Sequence, residues 1–173
     1  MARMEYLEEQ QATGKVDQIY QQVKKQNGMV LNLLKMMGHS PQVLESFLPS
    51  VGVISGKTSL SGAQKELSLL TVAKINGCEY CQGHHGELAR KAGVSEEKIA
   101  AVPDADSKAF SEEEKLIVRY ASKITKDVSA RDETFAKVKE QFSKEQVVEL
   151  TYLIGLMNLL TRFADTLEVD LEG

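Results

Sequence analysis

Three times along the chain a serine is followed three residues later by Gln or Glu at the head of an apolar run: Ser61 with Gln64, Ser111 with Glu114, and Ser143 with Gln146. In that pattern the hydroxyl and the third side chain satisfy each other's orphan backbone amides, which only a helix start leaves free. No segment alternates apolar and polar residues in the way a half-buried strand does. The chain is therefore expected to be all-α.

The remaining boundaries follow the same logic. Residues 15–27 (KVDQIYQQVKKQN) place Val16, Ile19, Tyr20 and Val23 on one stripe, with Gly28 as the C-terminal cap. A short helix from about Val30 to Met37 ends at Gly38. Ser40-Pro41 supplies an N-cap and first-turn proline for a third helix, which Pro49 is expected to kink or end. The helix opened by Ser61 runs to the breaker pair Asn76-Gly77, and the next begins with the cysteines and continues to Ala92-Gly93. Ser95 caps a further short helix that Pro103 terminates. A helix from Ser111, a short one near 131 to 142 and a long one to about Asp165 complete the set. With 173 residues, 42% hydrophobic and 27% charged, and no linker or internal repeat, this reads as one domain spanning 1–173. Residues 1–40 form an N-terminal helical extension to a core at 41–168.

Composition excludes some partners. The net charge is −4 and no Lys/Arg cluster is interleaved with aromatics, so no nucleic-acid partner is expected. The most apolar stretch, VVELTYLIGLMNLL at 147–160, carries Glu149 and Asn158 and is too short to span a bilayer, so no membrane is expected. It suits a core or subunit-interface helix. The N-terminal MARMEYLEEQQATG has neither the apolar region of a secretory signal nor the acid-poor composition of a transit peptide, and the expected compartment is the cytoplasm.

The chemistry concentrates in CEYCQGHH, residues 78 to 85, which holds both cysteines of the chain and two of its three histidines. On a helix, Cys78, Cys81 and His85 project at 0°, about 300° and about 340°, on one face, whereas His84 projects near 240°. Cys81 and His85 are i, i+4 neighbours. An adjacent imidazole and a helix start both favour thiolate, making Cys81 the candidate nucleophile and Cys78 the resolving thiol. Three other readings stand beside this one. A structural disulfide would close too short a loop to stabilise much, and cytosolic reductants oppose it. Zinc needs four ligands in a tetrahedron, and the local set offers three on one face. Two inert buried cysteines remain the plainest alternative.

With Glu66 included, E66-LSLLTVAKING-C78-EY-C81-QGH-H85 resembles the signature of the alkylhydroperoxidase D-like family, within the carboxymuconolactone decarboxylase superfamily. The similarity continues through AGVSEEKI, SEEEKLIVRYASKIT and NLLTRFADTL, covering roughly residues 40 to 168. It implies an all-α, single-domain helical bundle that forms a homo-oligomer, with CxxC at the N-terminus of a helix. It also implies a dithiol that reduces a small-molecule hydroperoxide through a sulfenic acid on Cys81 and a disulfide with Cys78, with Glu66 and His85 as a proton relay. No cofactor or metal is required, and a lipoyl or thioredoxin-like dithiol restores the pair. Glu66 enters only through the resemblance; otherwise it is a carboxylate in the first turn of a helix.

One position departs from the pattern, since the best-studied peroxidase members carry a further His between the cysteines and this chain has Tyr80. Two other functions stay open: a cofactor-free lactone-acid decarboxylase using His and Glu as acid and base, which does not need the dithiol, and a non-catalytic redox sensor. His84 is read as a polar helix-surface residue and His39 as a helix-end residue. Asn158 and Arg162 are read as a buried hydrogen-bonded pair at an interface.

Overall fold

The computed structural model describes residues 2–131 and 133–172. Among these the chain is all-helical, with α1 Gly14–Asn27, α2 Asn32–Met37, α3 Pro41–Ser55, α4 Gly62–Asn76, α5 Glu79–Lys91, α6 Glu96–Ala101, α7 Glu112–Asp127, α8 Glu133–Gln141 and α9 Lys144–Thr166. The three serine signals are helix starts in full. Ser61, Ser111 and Ser143 each accept the backbone N–H of the third residue while its side chain accepts theirs, at 2.8 to 3.3 Å. Ser95 caps α6 through the Lys98 N–H. Of the expected helix near 131 to 142, Asp132 lies outside the described residues.

Helix α4 is the centre of the bundle. Its stretch KELSLLTVA, residues 65 to 73, is buried on every side, and it packs against α5, α7 and α9. A helix without a polar face has no surface to give to water, so the core closes around it. Its polar atoms are paired internally: Ser68 donates to the Lys65 carbonyl and Thr71 to that of Leu67. The Lys65 ammonium donates to the Val53 and Gly56 carbonyls at the end of α3, at 3.0 and 2.6 Å. Because α5 packs directly on α4, any side chain on the inner face of one meets the other.

Three expectations are corrected. Pro49 neither ends nor interrupts α3, which runs through it to Ser55; Pro49 is exposed, and α3 buries only Leu44. Ser40 occupies the N-cap position of α3 without donating or accepting a side-chain cap bond, leaving Pro41 as the start signal. The first forty residues are only partly helical, because residues 2 to 13 form an irregular arm. That arm is held by the Tyr20 hydroxyl, which reaches the Leu7 carbonyl as well as those of Leu34 and Lys35, and by His39, whose Nε2 lies 2.8 Å from the Glu5 carbonyl.

The apolar run at 147–160 is the middle of a longer helix. At 23 residues, α9 is long and apolar enough, by length and composition, to cross a membrane. In the folded chain it is a core helix, burying Leu150, Leu153, Ile154, Met157, Leu160, Thr161 and Ala164. Beyond it the chain turns back: Val169 is buried, and residues 170 to 172 reach the N-terminal arm, α2 and α5.

Candidate active site

The dithiol is positioned by the turn between α4 and α5. Gly77 sits at φ +75°, a left-handed conformation that favours glycine, and the Cys78 N–H returns to the Ala73 carbonyl at 3.1 Å. This closes α4 and starts α5 one residue later than the sequence implied. Cys78 is thus the N-cap of α5, its sulfur accepting the Cys81 N–H at 3.4 Å. Cys81 lies in the first turn. Both thiols are free and buried, at 1% and 5% exposure, and their sulfurs are 2.7 Å apart.

The electrostatics divide the two sulfurs. The contact with Cys81 Sγ holds the Cys78 thiol below its ordinary value, against burial, and the Cys81 N–H acts in the same direction. Cys81 is pushed far up by its contact with Cys78, by burial, and by the charge on Cys78. Of the two, Cys78 is thus the more acidic thiol. The helix start, expected to favour an anion at the dithiol, acts on Cys78 through the Cys81 N–H.

Glu66 and His85 meet. Nδ1 of His85 lies 2.8 Å from Glu66 Oε2, joining α4 to α5, and both side chains are largely buried, at 12% and 9% exposure. A neutral imidazole that donates from Nδ1 keeps its lone pair on Nε2, the arrangement of a base oriented by a carboxylate. Among the described residues, His85 makes no hydrogen bond to either sulfur. The structure thus assembles two pairs at α5, a dithiol at its start and an imidazole coupled to a carboxylate of α4.

Other sequence assignments change. His84 is not a free surface residue: its Nε2 lies 2.6 Å from Glu172 Oε2, and its ring meets that of Tyr80 edge-on at 4.7 Å between centroids. Glu172 also accepts the Tyr80 hydroxyl at 3.2 Å and the Asn32 N–H at 2.6 Å. Burial raises its carboxyl, but the Asn32 N–H, its own N–H and the His84 ring outweigh this and hold it below the ordinary value. The tail carrying Glu172 crosses α5 at Gly83, where a Cβ would stand 2.7 Å from Leu171 Cδ2. Arg162 does bond Asn158, at 2.7 Å to its carbonyl and 2.8 Å to Oδ1, but Arg162 is exposed and Asn158 half-buried. Their network extends to Asn76, whose Nδ2 donates to Asn158 Oδ1 and Thr161 Oγ1. It therefore fixes the end of α4 just before the dithiol.

A cleft of about 420 Å³ lies between the start of α5 and the end of α9 with its tail; Cys78, Tyr80 and Asp165 are on its wall. Glu172 and Asp165 were missed by the sequence reading. They lie far along the chain from the cysteines, and no local period marks them. No group of three or more His, Cys, Asp or Glu among the described residues is arranged to hold a metal ion.

The model of the carboxymuconolactone decarboxylase family matches residues 41–116, which include Glu66 and the whole CxxC-His segment. The uncharacterized protein YdfG of Bacillus subtilis is 32% identical over 111 residues, 62% of this chain and 76% of YdfG. The chain belongs to the carboxymuconolactone decarboxylase family. Its fold within that family is the alkylhydroperoxidase D-like one. A peroxidase-related protein from Ralstonia eutropha JMP134, described as an alkylhydroperoxidase AhpD core, superposes with a TM-score of 0.84 at 18% identity, over 99% of this chain and 92% of its own. The debrominase Bmp8, in complex with 2,3,4-tribromopyrrole, superposes with a TM-score of 0.83 at 18% identity, over 100% of this chain and 95% of its own. The framework thus serves more than one chemistry, and the assignment of activity rests on the residues of the site.

Proposed function

We propose that the protein is a thiol-dependent peroxidase, a thiol-disulfide oxidoreductase that reduces hydroperoxides through Cys81 and Cys78. The observation that carries this is the 2.8 Å contact between His85 and Glu66, which places an oriented base on the same helix as a dithiol whose sulfurs touch. A decarboxylase would use His85 and Glu66 but has no need of two sulfurs in contact.

In the forward sequence the Cys81 thiol gives up its proton, to Cys78 Sγ at 2.7 Å once that sulfur is ionised, or through a bridging water to His85 Nε2. The Cys81 thiolate attacks the terminal oxygen of the hydroperoxide, the O–O bond breaks, and the departing alkoxide takes a proton and leaves as the alcohol. Cys81 is then a sulfenic acid. Cys78 attacks its sulfur, hydroxide leaves as water after protonation, and the disulfide is reduced by an external dithiol of lipoyl or thioredoxin type.

A second order of events is favoured by one specific observation, the Cys81 N–H that Cys78 Sγ accepts at 3.4 Å, which favours an anion on Cys78. There Cys78 attacks and Cys81 resolves. The two orders separate by trapping: after one equivalent of hydroperoxide, a sulfenic acid accumulates on Cys81 in Cys78→Ser if Cys81 attacks, and on Cys78 in Cys81→Ser if the order is reversed. Hydroperoxide consumption that survives Cys81→Ser together with Cys78→Ser would remove the redox assignment altogether.

The same reading includes self-association. The implied homo-oligomer would use the apolar face that α9 and α3 leave uncovered, with a second copy of this chain as its occupant.

A further inference from the structure

Of the two cysteines, Cys78 is among the residues that line the cleft and Cys81 is not, so a reductant entering there approaches the dithiol from the Cys78 side. The charges around it can be audited one by one. Glu168 is paired with Arg3 at 2.9 Å. Asp170 accepts the Ala2 N–H at 3.0 Å and the Tyr6 hydroxyl at 3.2 Å. Two carboxylates on the wall, Glu79 and Asp165, have no side-chain partner among the described residues.

Glu79 is explained by its place, because it opens α5 and a negative charge is stabilised at a helix start. Asp165 is in the opposite situation. It stands in the last turn of α9, a turn without a basic residue, where the helix end is itself negative and a carboxylate is disfavoured. Asp165 is exposed, so water rather than a partner in the fold carries its charge. Its charge also raises both thiols, working against the chemistry proposed for them.

We propose that Asp165 is the specificity-determining residue for the reductant: its unpaired carboxylate, beside the cleft through which Cys78 is reached, favours thiols carrying a positive charge and turns away those carrying a second negative one. This rests on the dithiol being redox-active as proposed above. In the reductive step the reductant's thiolate attacks Cys78 Sγ, the Cys78–Cys81 bond breaks, and its electron pair leaves on Cys81, which takes a proton. The mixed disulfide on Cys78 is then attacked at the reductant's sulfur by a second reductant thiol, releasing Cys78 as thiolate. Two reductant thiols have become one disulfide.

The field of Asp165 acts on the attacking species. For cysteamine that species is a thiolate with an ammonium, for mercaptoethanol a thiolate alone, and for mercaptoacetate a thiolate with a carboxylate. These three therefore form a charge ladder.

The test uses the full-length protein, oxidised by one equivalent of hydroperoxide or, if none is consumed, by diamide. Rates of disulfide reduction by the three thiols are each divided by the rate of the same thiol on a small neutral disulfide, which removes differences in intrinsic thiol reactivity. The cysteamine-to-mercaptoacetate ratio is expected to fall roughly fivefold in Asp165→Asn and further in Asp165→Lys, and to be compressed in the wild type by high salt. Because any effect of Asp165 on the cysteines is common to all three thiols, it cancels in the ratio. A wild-type ratio equal to that on the small disulfide, or one unchanged in Asp165→Asn, overturns the proposal. Labelling of reduced Cys78 by cationic and anionic methanethiosulfonates should follow the same order, and equal labelling overturns it without requiring a disulfide to form. Charge-ordered reduction without peroxide turnover would refute the peroxidase reading alone. Turnover with charge-independent reduction would refute this proposal alone.

Discussion

At the residue scale, the cysteine spacing and the histidine one turn on were enough to identify a dithiol with a neighbouring imidazole, because helical period alone puts Cys78, Cys81 and His85 on one face. Glu66 was legible only by resemblance, since nothing in periodicity measures the gap between two helices. The structure closes that gap to 2.8 Å. The local reading put both cysteines in the first turn; the boundary lies one residue later, which makes Cys78 the cap of α5 and its sulfur the acceptor of the Cys81 N–H. In the proposed function Glu66 acts through His85, which it contacts at 2.8 Å, as a positioning residue. Glu66→Gln keeps the shape and an acceptor but removes the charge, so kcat for hydroperoxide should fall roughly a hundredfold with KM little changed. The fold should melt within a few degrees of the wild type, and ring-nitrogen NMR of His85 should show its Nδ1-protonated tautomer less favoured. An unaltered kcat, or a fall explained wholly by unfolding, would leave Glu66 as a structural carboxylate.

At the element scale, the capping signals were reliable because each is a complete local transaction: Ser and Gln or Glu need only each other and two backbone amides. Signals that depend on context did worse. Pro49 sits within a helix that continues past it, and Ser40 stands at the N-cap without a side-chain cap bond. The tail was illegible, since its anchors reach Asn32, Tyr80 and His84 from the far end of the chain. Glu172 is the centre of those anchors, and the sign of its effect follows from its depressed carboxyl. A group whose pKa is lower folded than unfolded stabilises above the unfolded value, here 4.5, and loses that contribution as pH falls below it. Glu172→Gln should therefore cost about 1 to 2 kcal/mol at neutral pH, a melting shift of several degrees. The difference from wild type should shrink toward zero as pH falls from 4.5 through the lowered folded value. The loosened tail should also let alkylating reagents reach Cys78 faster at neutral pH. A melting difference that is the same at both ends of the titration would show that the carboxylate's charge does not hold the tail.

At the scale of the whole molecule, the all-α bundle was legible from its helix signals, but the central place of α4 was not, because Lys65 and Glu66 read as surface residues and are buried. The outward side of α9 was harder to read, since an apolar run of this kind serves a core or an interface equally well in sequence. The structure divides it between the two. One side of α9 is core, while Val148, Tyr152 and Leu159, at helical spacing on the other side, are 69%, 45% and 57% exposed. Helix α3 lies alongside, joined by the 2.7 Å contact of Ser50 with Tyr152, and it buries only Leu44 although most of its residues are apolar. Two neighbouring helices with uncovered apolar side chains form a larger patch than isolated surface residues do. A second copy of the chain brings the same patch, and its association buries both at once. If that is the occupant, the wild type should sediment above monomer mass at micromolar concentration. Val148→Glu combined with Leu159→Glu, both at exposed positions that the folded monomer tolerates, should reduce it to the monomer by placing like charges across the contact. The helical circular dichroism of that variant should match the wild type, separating dissociation from unfolding. A wild type that sediments as a monomer, or a charged variant that stays associated, would assign this face to something other than a second copy.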